Sequence, residues 1–267
     1  MDIASLFSVR GRRAFVTGGS SGIGLMIAEG LLEAGAEVWI CGRKAAPLRE
    51  AEAMLARLGP CRAVEADLAT AEGVAKAAGA IAAAQDSLDI LINNAGAAWG
   101  APIDAFPRAG FEKVLDTNLI GPFELSQKML PLLRRAASAE HPARIINIAS
   151  IDGMRPPARP SFSYSASKAG LIMLTRHMAK YLAGDHIAVN AIAPGVFESK
   201  MTRFMFNPAD PAHEPAPISP LTGRTGSPED IVGAVLYLAS RAGAHVTGAV
   251  IPVAGGDATI DERSAGA

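Results

Sequence analysis

Short apolar runs alternate with helical stretches from one end of this chain to the other, and few folds accept that pattern. Ala14-Phe15-Val16 reads as a strand and leads into a glycine-rich turn, after which Ile23 to Glu33 reads as a helix closed by Gly35. Glu37 to Ile40 is a second strand, followed by a charged helix from about Ala45 to Leu58. Ala63 to Glu65 and Asp89 to Ile92 are the next two strands, with a helix from Thr70 to Gln85 between them. A long helical region covers about Phe111 to Arg135, with Pro122 placed at a bend and Pro131 near the end. Arg144 to Ile148, His186 to Ile192 and Ala249 to Val253 complete the strands, and the helices Ser163 to Leu182 and Pro228 to Ser240 separate them. Crossovers of this length impose parallel pairing, because a tight hairpin can join only antiparallel strands. The strands are continuous apolar runs, as required when both faces of a sheet are covered. The expectation is a doubly wound α/β fold with a parallel seven-stranded sheet, helices on both faces and a ligand crevice at the carboxyl ends of the strands.

At 267 residues the chain suits one domain, spanning 1–267, better than two. The segment Phe197 to Gly223 is rich in Pro, Met and Phe and too long for a plain connection, so it reads as a lid or substrate loop. Residues 257–267 read as a C-terminal tail, frayed from Asp261 onward. A formal net charge of −1 gives no electrostatic reason for a nucleic-acid partner. The basic clusters at Arg10, Arg12, Arg13 and at Arg134, Arg135 read as a solvated terminus and a basic helix end. Cys41 and Cys61 form no CxxC pair and cannot make a structural zinc site alone; they read as buried reduced thiols, and no metal is expected. Without a signal-like start or an apolar run of roughly 18 residues, the expectation is a cytoplasmic protein with no membrane partner.

The turn after the first strand reads Thr17-Gly18-Gly19-Ser20-Ser21-Gly22-Ile23-Gly24. Gly18 permits the tight turn, Gly22 lets the backbone approach a pyrophosphate, and Gly24 allows close helix packing. Free N–H groups and the positive end of the helix dipole then favour the anion. The second strand decides which dinucleotide fits. An acidic residue there would bond the ribose 2′-hydroxyl and repel a 2′-phosphate, but Gly42 stands in that place and Arg43 follows it. Arg43 can clamp a phosphate with its planar fork, and Ser20 or Ser21 can add hydroxyl donors, which favours NADP(H); the plain alternative is that Arg43 and Lys44 open a solvated helix.

Tyr164-Ser165-Ala166-Ser167-Lys168 places a phenol and an ammonium one helical turn apart on one face. A positive neighbour, reinforced by oxidised nicotinamide, favours phenolate and is expected to lower the tyrosine pKa into a useful range for proton transfer. Ser150 ends the fifth strand and Tyr164 opens the next helix, so both belong at the same sheet edge as the nucleotide turn. Asn147 and Asp152, which flank Ser150, read as turn residues.

The glycine spacing is TGxxxGxG rather than GxGxxG. Together with Asn93-Asn94-Ala95-Gly96 after the fourth strand and Tyr164-xxx-Lys168, it resembles the short-chain dehydrogenase/reductase family, whose motifs follow in order along nearly the whole chain. The resemblance implies a Rossmann fold and an NADP(H)-binding set of Gly18, Ser20, Ser21, Gly22, Ile23, Gly24, Arg43, Asp67, Leu68, Asn94, Ala95, Gly96, Tyr164, Lys168, Pro194, Gly195, Val196 and Ser199. It implies that Asp67 receives the adenine amino group and that Pro194-Gly195 turns under the nicotinamide. Val196 then meets its carboxamide and Ser199, where threonine is commoner, a nearby phosphate. In the same pattern Ser150 bonds the substrate carbonyl oxygen, Tyr164 is the acid/base, and Lys168 also binds the nicotinamide ribose. Asn118 holds a helix kink and a water near the lysine. The family also implies a homotetramer, or a homodimer, built on the helices Phe111–Arg135 and Ser163–Leu182 and on the last strand. Gly255-Gly256 resembles the family's usual close, although Ala254 stands where Asp is common.

The sequence says less about the substrate. Trp99, Ile151 to Ser163 and Phe197 to Ile218 are expected to line the pocket. Phe197, Met201, Phe204, Met205 and Phe206 either form one apolar wall, suiting a lipophilic or acyl-type ketone, or pack under the lid. Gly30 to Ala36, Leu130 to Arg135 and Pro194 to Thr202 are similar to NADPH-dependent 3-oxoacyl reductases of the rhamnolipid-biosynthesis type, which implies a 3-oxoacyl thioester or other β-keto substrate. The rivals are an NAD(P)-dependent secondary alcohol dehydrogenase working oxidatively and a non-catalytic nucleotide-binding protein. An acidic residue at position 42 would favour the first, and loss of Ser150, Tyr164 or Lys168 the second.

Overall fold

Seven strands form one parallel sheet in the order β3-β2-β1-β4-β5-β6-β7 in the computed structural model, which describes residues 2–199, 201–209, 218–219 and 221–258. The strands are β1 (Arg13–Thr17), β2 (Glu37–Gly42), β3 (Cys61–Glu65), β4 (Ile90–Asn93), β5 (Ala143–Ile148), β6 (Ile187–Pro194) and β7 (Val250–Val253). The helices are α1 (Ile3–Leu6), α2 (Gly22–Glu33), α3 (Ala45–Leu55), α4 (Ala71–Ala84), α5 (Arg108–Leu115), α6 (Gly121–Ala136), α7 (Phe162–Leu182), α8 (Arg203–Phe206) and α9 (Pro228–Ala239).

Alternate residues of each buried strand feed two different cores, as the pleat requires. Val16, Ile40, Ile92 and Ile146 pack with Ile27 and Leu31 of α2, Leu55 of α3 and Val235 of α9. Phe15, Leu91, Ile145 and Val189 point the other way, onto Val74 and Ile81 of α4, Leu125 and Met129 of α6, and Leu182 of α7. Both faces are therefore covered by helices, which accounts for the continuous apolar strands. The chain winds outward through β1, β2 and β3 and then returns to place β4 beside β1. That reversal opens a crevice above the carboxyl ends of β1 and β4, where α/β sheets bind ligands.

Four expectations need correction. Residues 111–135 do not form one helix bent at Pro122. The irregularity is a π-turn over Asp116–Ile120 just before Pro122, and Gly121 lets it pack on Leu68, since a Cβ there would stand 2.2 Å from the Leu68 carbonyl oxygen. Pro131 lies inside α6, which runs on to Ala136, and its exposed position leaves the freed carbonyl to solvent. Arg134 and Arg135 do close α6 as a basic helix end, but Arg12, Arg13 and Arg134 are also paired rather than simply solvated. Arg12 Nη1 donates to Asp89 Oδ1 at 2.6 Å, Arg13 Nη1 to Ser87 Oγ at 2.8 Å, and Arg134 to Asp185 Oδ2 through both Nε and Nη2. Cys41 is buried, but Cys61, on the edge strand β3, is only half-buried. Burial pushes the two thiols up to about 12 and about 11, so neither is a thiolate at neutral pH.

The segment 197–223 contains the short helix α8, and Phe197 at its start makes a parallel bridge with Gly226 beyond its end; residues 200, 210–217 and 220 of that expected lid lie outside the described residues, as do 259–267 of the expected tail. Among the described residues no helix is long and apolar enough to cross a membrane, and no cluster of side chains suits a metal ion.

Candidate active site

The crevice is built first from the turn joining β1 to α2. Gly22 takes φ 57°, and a Cβ on it would stand 2.9 Å from Ser199 Cβ, so the start of α2 faces the segment that follows β6. Gly24 has no room for a side chain either: a Cβ would lie 2.3 Å from Asn94 Nδ2 and 2.4 Å from the Gly18 carbonyl oxygen. Asn94 Nδ2 donates to the Thr17 carbonyl at 2.9 Å, pinning the turn to the end of β4. Thr17 completes that tie, its Oγ1 accepting from the amides of Asn94 and Ala95, both at 2.9 Å. The threonine was not among the residues expected here, although it opens the motif. Ser21, at the N-cap of α2, makes no side-chain capping bond, so the first amides of α2 are left as donors toward the crevice.

Farther along the same edge, Gly42 ends β2 with Ser20 Oγ only 3.1 Å from where its Cβ would be. Arg43 is half-exposed beside it, with Nη1 3.9 Å from Asp67 Oδ2. Asp67 Oδ1 accepts from the Ala69 amide at 3.1 Å. Leu68 is buried among core side chains, so only its main chain can face a ligand. Ile23 is half-buried against the core, and Ala95 and Gly96 continue the crevice toward α7. Pro194 ends β6, the Gly195 amide donates to the Val253 carbonyl at 3.0 Å, and the Val196 carbonyl accepts from Gly226 at 2.9 Å. These groups offer what a dinucleotide phosphate needs: a glycine cradle without Cβ atoms, free helix amides, and an arginine and a serine beside a glycine where an acid would exclude a 2′-phosphate.

The second half of the site comes from β5 and α7. Ser150 leaves β5 and caps the short turn Ile151–Gly153, its Oγ accepting from the Asp152 amide at 3.1 Å. The turn leans directly on α7, because a Cβ at Gly153 would lie 2.6 Å from the Lys168 carbonyl carbon. Ser150 and Asp152, both of this turn, act on the Tyr164 phenol in opposite directions. Lys168 Nζ donates to the Ile148 carbonyl at 2.7 Å and lies 5.7 Å from the Tyr164 ring centre.

The expected lowering of the tyrosine pKa does not occur in the protein itself. Burial pushes the Tyr164 phenol up to about 12, with the Ser150 hydrogen bond acting the other way and the Asp152 carboxylate adding to the rise. Burial likewise brings the Lys168 ammonium down to about 8. Desolvation penalises the charged form of each group and is the largest cause in both.

Asn118 sits in the middle of the π-turn and is wholly buried. Its Oδ1 accepts from the Ala97 amide at 2.8 Å, and its Nδ2 donates to the Ala97 carbonyl and to Ser167 Oγ, both at 2.9 Å. The side chain thus clamps the chain after β4 to α7, and every polar atom it carries is already used. Asn147 is not a turn residue. It is buried in β5, accepts from Asn93 Nδ2 at 2.9 Å and donates to Thr175 Oγ1 at 2.8 Å, joining β4, β5 and α7 beneath the site. The expected apolar wall divides. Phe197 and Met205 are buried, Met201 is exposed, and the Arg159 guanidinium lies 4.8 Å from the Phe204 ring centre. Trp99 packs on α5, where a Cβ at Gly110 would meet its ring at 2.8 Å.

Known proteins are similar to this chain in sequence and fold. A family model described as short chain dehydrogenase matches residues 12–209. The chain is 47% identical over 250 residues to the rhamnolipids biosynthesis 3-oxoacyl-[acyl-carrier-protein] reductase of Pseudomonas aeruginosa, covering 94% of this chain and 97% of that one. It is 34% identical to gluconate 5-dehydrogenase of Gluconobacter oxydans over 96% of this chain and 98% of the relative. Among solved structures, the Pseudomonas aeruginosa RhlG/NADP active-site complex superposes with a TM-score of 0.89 at 47% identity, covering 95% of this chain and 99% of that one.

Proposed function

The chain belongs to the short chain dehydrogenase family, and we propose that this oxidoreductase reduces a 3-oxoacyl thioester or a related β-keto compound with NADPH, using Ser150, Tyr164 and Lys168. One observation carries the reading: the serine, the tyrosine and the lysine converge at the carboxyl edge of the sheet that also bears the glycine turn. The substrate class follows the similarity to the Pseudomonas aeruginosa reductase, and NADP(H) is supported by the solved NADP complex and by Gly42 and Arg43.

In this proposal the α2 amides and the Gly18–Gly24 turn, with Ile23, hold the pyrophosphate, and Arg43 with Ser20 or Ser21 holds the 2′-phosphate. Asp67 and the Leu68 main chain meet the adenine; Asn94, Ala95 and Gly96 line the middle; Pro194, Gly195, Val196 and Ser199 support the nicotinamide end. When bound, the dinucleotide supplies hydride transfer between its nicotinamide ring and a carbonyl carbon. Ser150 Oγ orients the carbonyl oxygen and stabilises its developing charge. A phenol held near 12 is protonated at neutral pH, so Tyr164 Oη is ready to give its proton to that oxygen. Below about pH 8 Lys168 carries its charge and can stabilise the phenolate left behind. Asn118 keeps the Ala97 segment and α7 in register.

We further propose that residues 1–267 act as one domain in the cytoplasm, with 197–223 as the substrate loop. A homotetramer, or a homodimer, is proposed to cover the apolar side chains Ile120, Phe123, Phe162, Met173 and Tyr181, which stand exposed on the π-turn, α6 and α7.

The test is absorbance of NADPH and NADH with 3-oxoacyl thioesters, β-keto esters, simple ketones and secondary alcohols. Tyr164→Phe is expected to lower kcat roughly 10²- to 10⁴-fold while NADPH still binds. Full activity in that variant would overturn the mechanism, and a marked preference for NADH would overturn the role given to Arg43.

A further inference from the structure

Three loops meet at the substrate end of the sheet, and one side chain joins two of them. Arg155 lies on the turn after Ser150, its amide donating to the Ile151 carbonyl at 3.0 Å. Its guanidinium crosses to the turn after β7, where Nε donates to the Asp257 carbonyl at 2.8 Å and Nη2 to Asp257 Oδ1 at 2.5 Å. Two donors from one rigid fork fix an angle as well as a distance, which a lysine cannot do. With the two side chains 41% and 21% exposed, the ion pair contributes little Coulomb energy, and its value is geometric.

The turn so held has contacts on both flanks. Gly255 takes φ 55°, and a Cβ there would stand 1.7 Å from Ser219 Oγ. The Gly255 carbonyl accepts from Ser219 Oγ at 2.8 Å and from the Leu221 amide at 3.0 Å, both on the returning limb of the 197–223 segment. On the other flank the Val253 carbonyl holds the Gly195 amide. Arg155 therefore links the serine turn to the limb that closes the substrate loop. The other charged groups acting on Asp152, which neighbours Arg155, are Arg159 and Asp257.

We propose that Arg155 is a positioning residue: by gripping Asp257 it fixes the spacing between the Ser150 turn and the two residues that hold Gly255, Ser219 and Leu221, and so sets the width of the cleft that receives the part of the substrate beyond its reacting carbonyl. This deepens the reductase reading and rests on it. The carbonyl itself is held by Ser150 and Tyr164 on the near side of the grip, so a short substrate is indifferent to the clamp and a long one is not.

Arg155→Met, Asp257→Asn and the double variant are compared with the wild type on a four-carbon and a ten-carbon 3-oxoacyl thioester of one thiol. Arg155→Met raises KM for the ten-carbon substrate roughly tenfold and for the four-carbon one less than about twofold, with kcat and NADPH affinity within about twofold. The double variant is no worse than Arg155→Met, because both changes break one link. Unchanged KM for the long substrate, or kcat and NADPH affinity falling together on both substrates, overturns the proposal. If the wild type reduces neither thioester, the substrate reading fails by itself. The clamp is then judged on amide exchange in peptides carrying Leu221 and Gly223 with NADPH present, which Arg155→Met speeds roughly tenfold; unchanged exchange overturns it.

Discussion

Lys168 is a cation in a place that disfavours charge, with the Ile148 carbonyl as its hydrogen-bond acceptor. Its folded pKa of about 8 lies below the ordinary lysine value of roughly 10.4. Between those two values the unfolded chain holds the proton and the folded chain has lost it. Stability attributable to this group therefore rises as pH climbs from about 8 to roughly 10.4, and the burial cost is fully present below 8. Lys168→Met is expected to raise the thermal midpoint at pH 7 by roughly 3–6 °C, even though it removes roughly 10²- to 10⁴-fold of activity. Scanning calorimetry at pH 7 and pH 10 checks this, because the gain must shrink at the higher pH. A gain that is absent or independent of pH would show that the ammonium is not the costly group. The identity of Lys168 and its spacing from Tyr164 were legible in the sequence, but the direction of both pKa shifts was not. A helical turn of four fixes proximity, whereas desolvation depends on what the rest of the chain packs around the pair.

Elements were legible where their signal is local. Strand alternation and helix starts follow from pleat and cap chemistry, so Thr70, expected to open a helix, turns out to be the N-cap of α4, with its Oγ1 accepting from the Gly73 amide at 3.0 Å. The kink at Asn118 was implied by the family resemblance, but its form as a π-turn over Asp116–Ile120 and the packing of Gly121 against the Leu68 carbonyl, a neighbour far away in sequence, were not legible. The start of α9 shows the local case again. Asp230 Oδ2 accepts from the Ser227 amide at 2.8 Å and from Ser227 Oγ at 3.0 Å, while Arg224 donates to both carboxylate oxygens. The Arg224 bonds, and then those from Ser227, hold the Asp230 carboxyl well below the usual carboxylate range. A depressed carboxylate stabilises the fold above its unfolded pKa of roughly 3.9 and loses that contribution as pH falls. Asp230→Ala is expected to cost about 1 kcal/mol in urea unfolding at pH 7, and the difference from wild type should narrow steadily below about pH 4. A difference that stays constant into acid would mean that the carboxylate charge plays no part.

At the scale of the whole molecule, several apolar residues are left outside the cores on the π-turn, α6 and α7. Ile120 is 46% exposed, Phe123 43% and Met173 61%, and all three stand on the helices that the tetramer proposal assigns to an interface. Met173→Glu places a charge in the middle of that face and is expected to lower the sedimenting mass to a dimer or monomer at micromolar concentration, with the fold retained by circular dichroism. An unchanged mass would move the interface elsewhere. The sequence by itself determined the parallel doubly wound sheet, the glycine turn after β1 and the order of Ser150, Tyr164 and Lys168, because periodicity, glycine spacing and helical spacing are short-range constraints carried by neighbouring residues. Only the tertiary structure decided that Thr17 and Asn118 clamp the crevice, that Arg155 grips Asp257, and that burial is the largest influence on the Tyr164 and Lys168 pKa values. Each of those depends on which distant segments share one sheet edge and how completely they exclude water, and no window of sequence contains both partners.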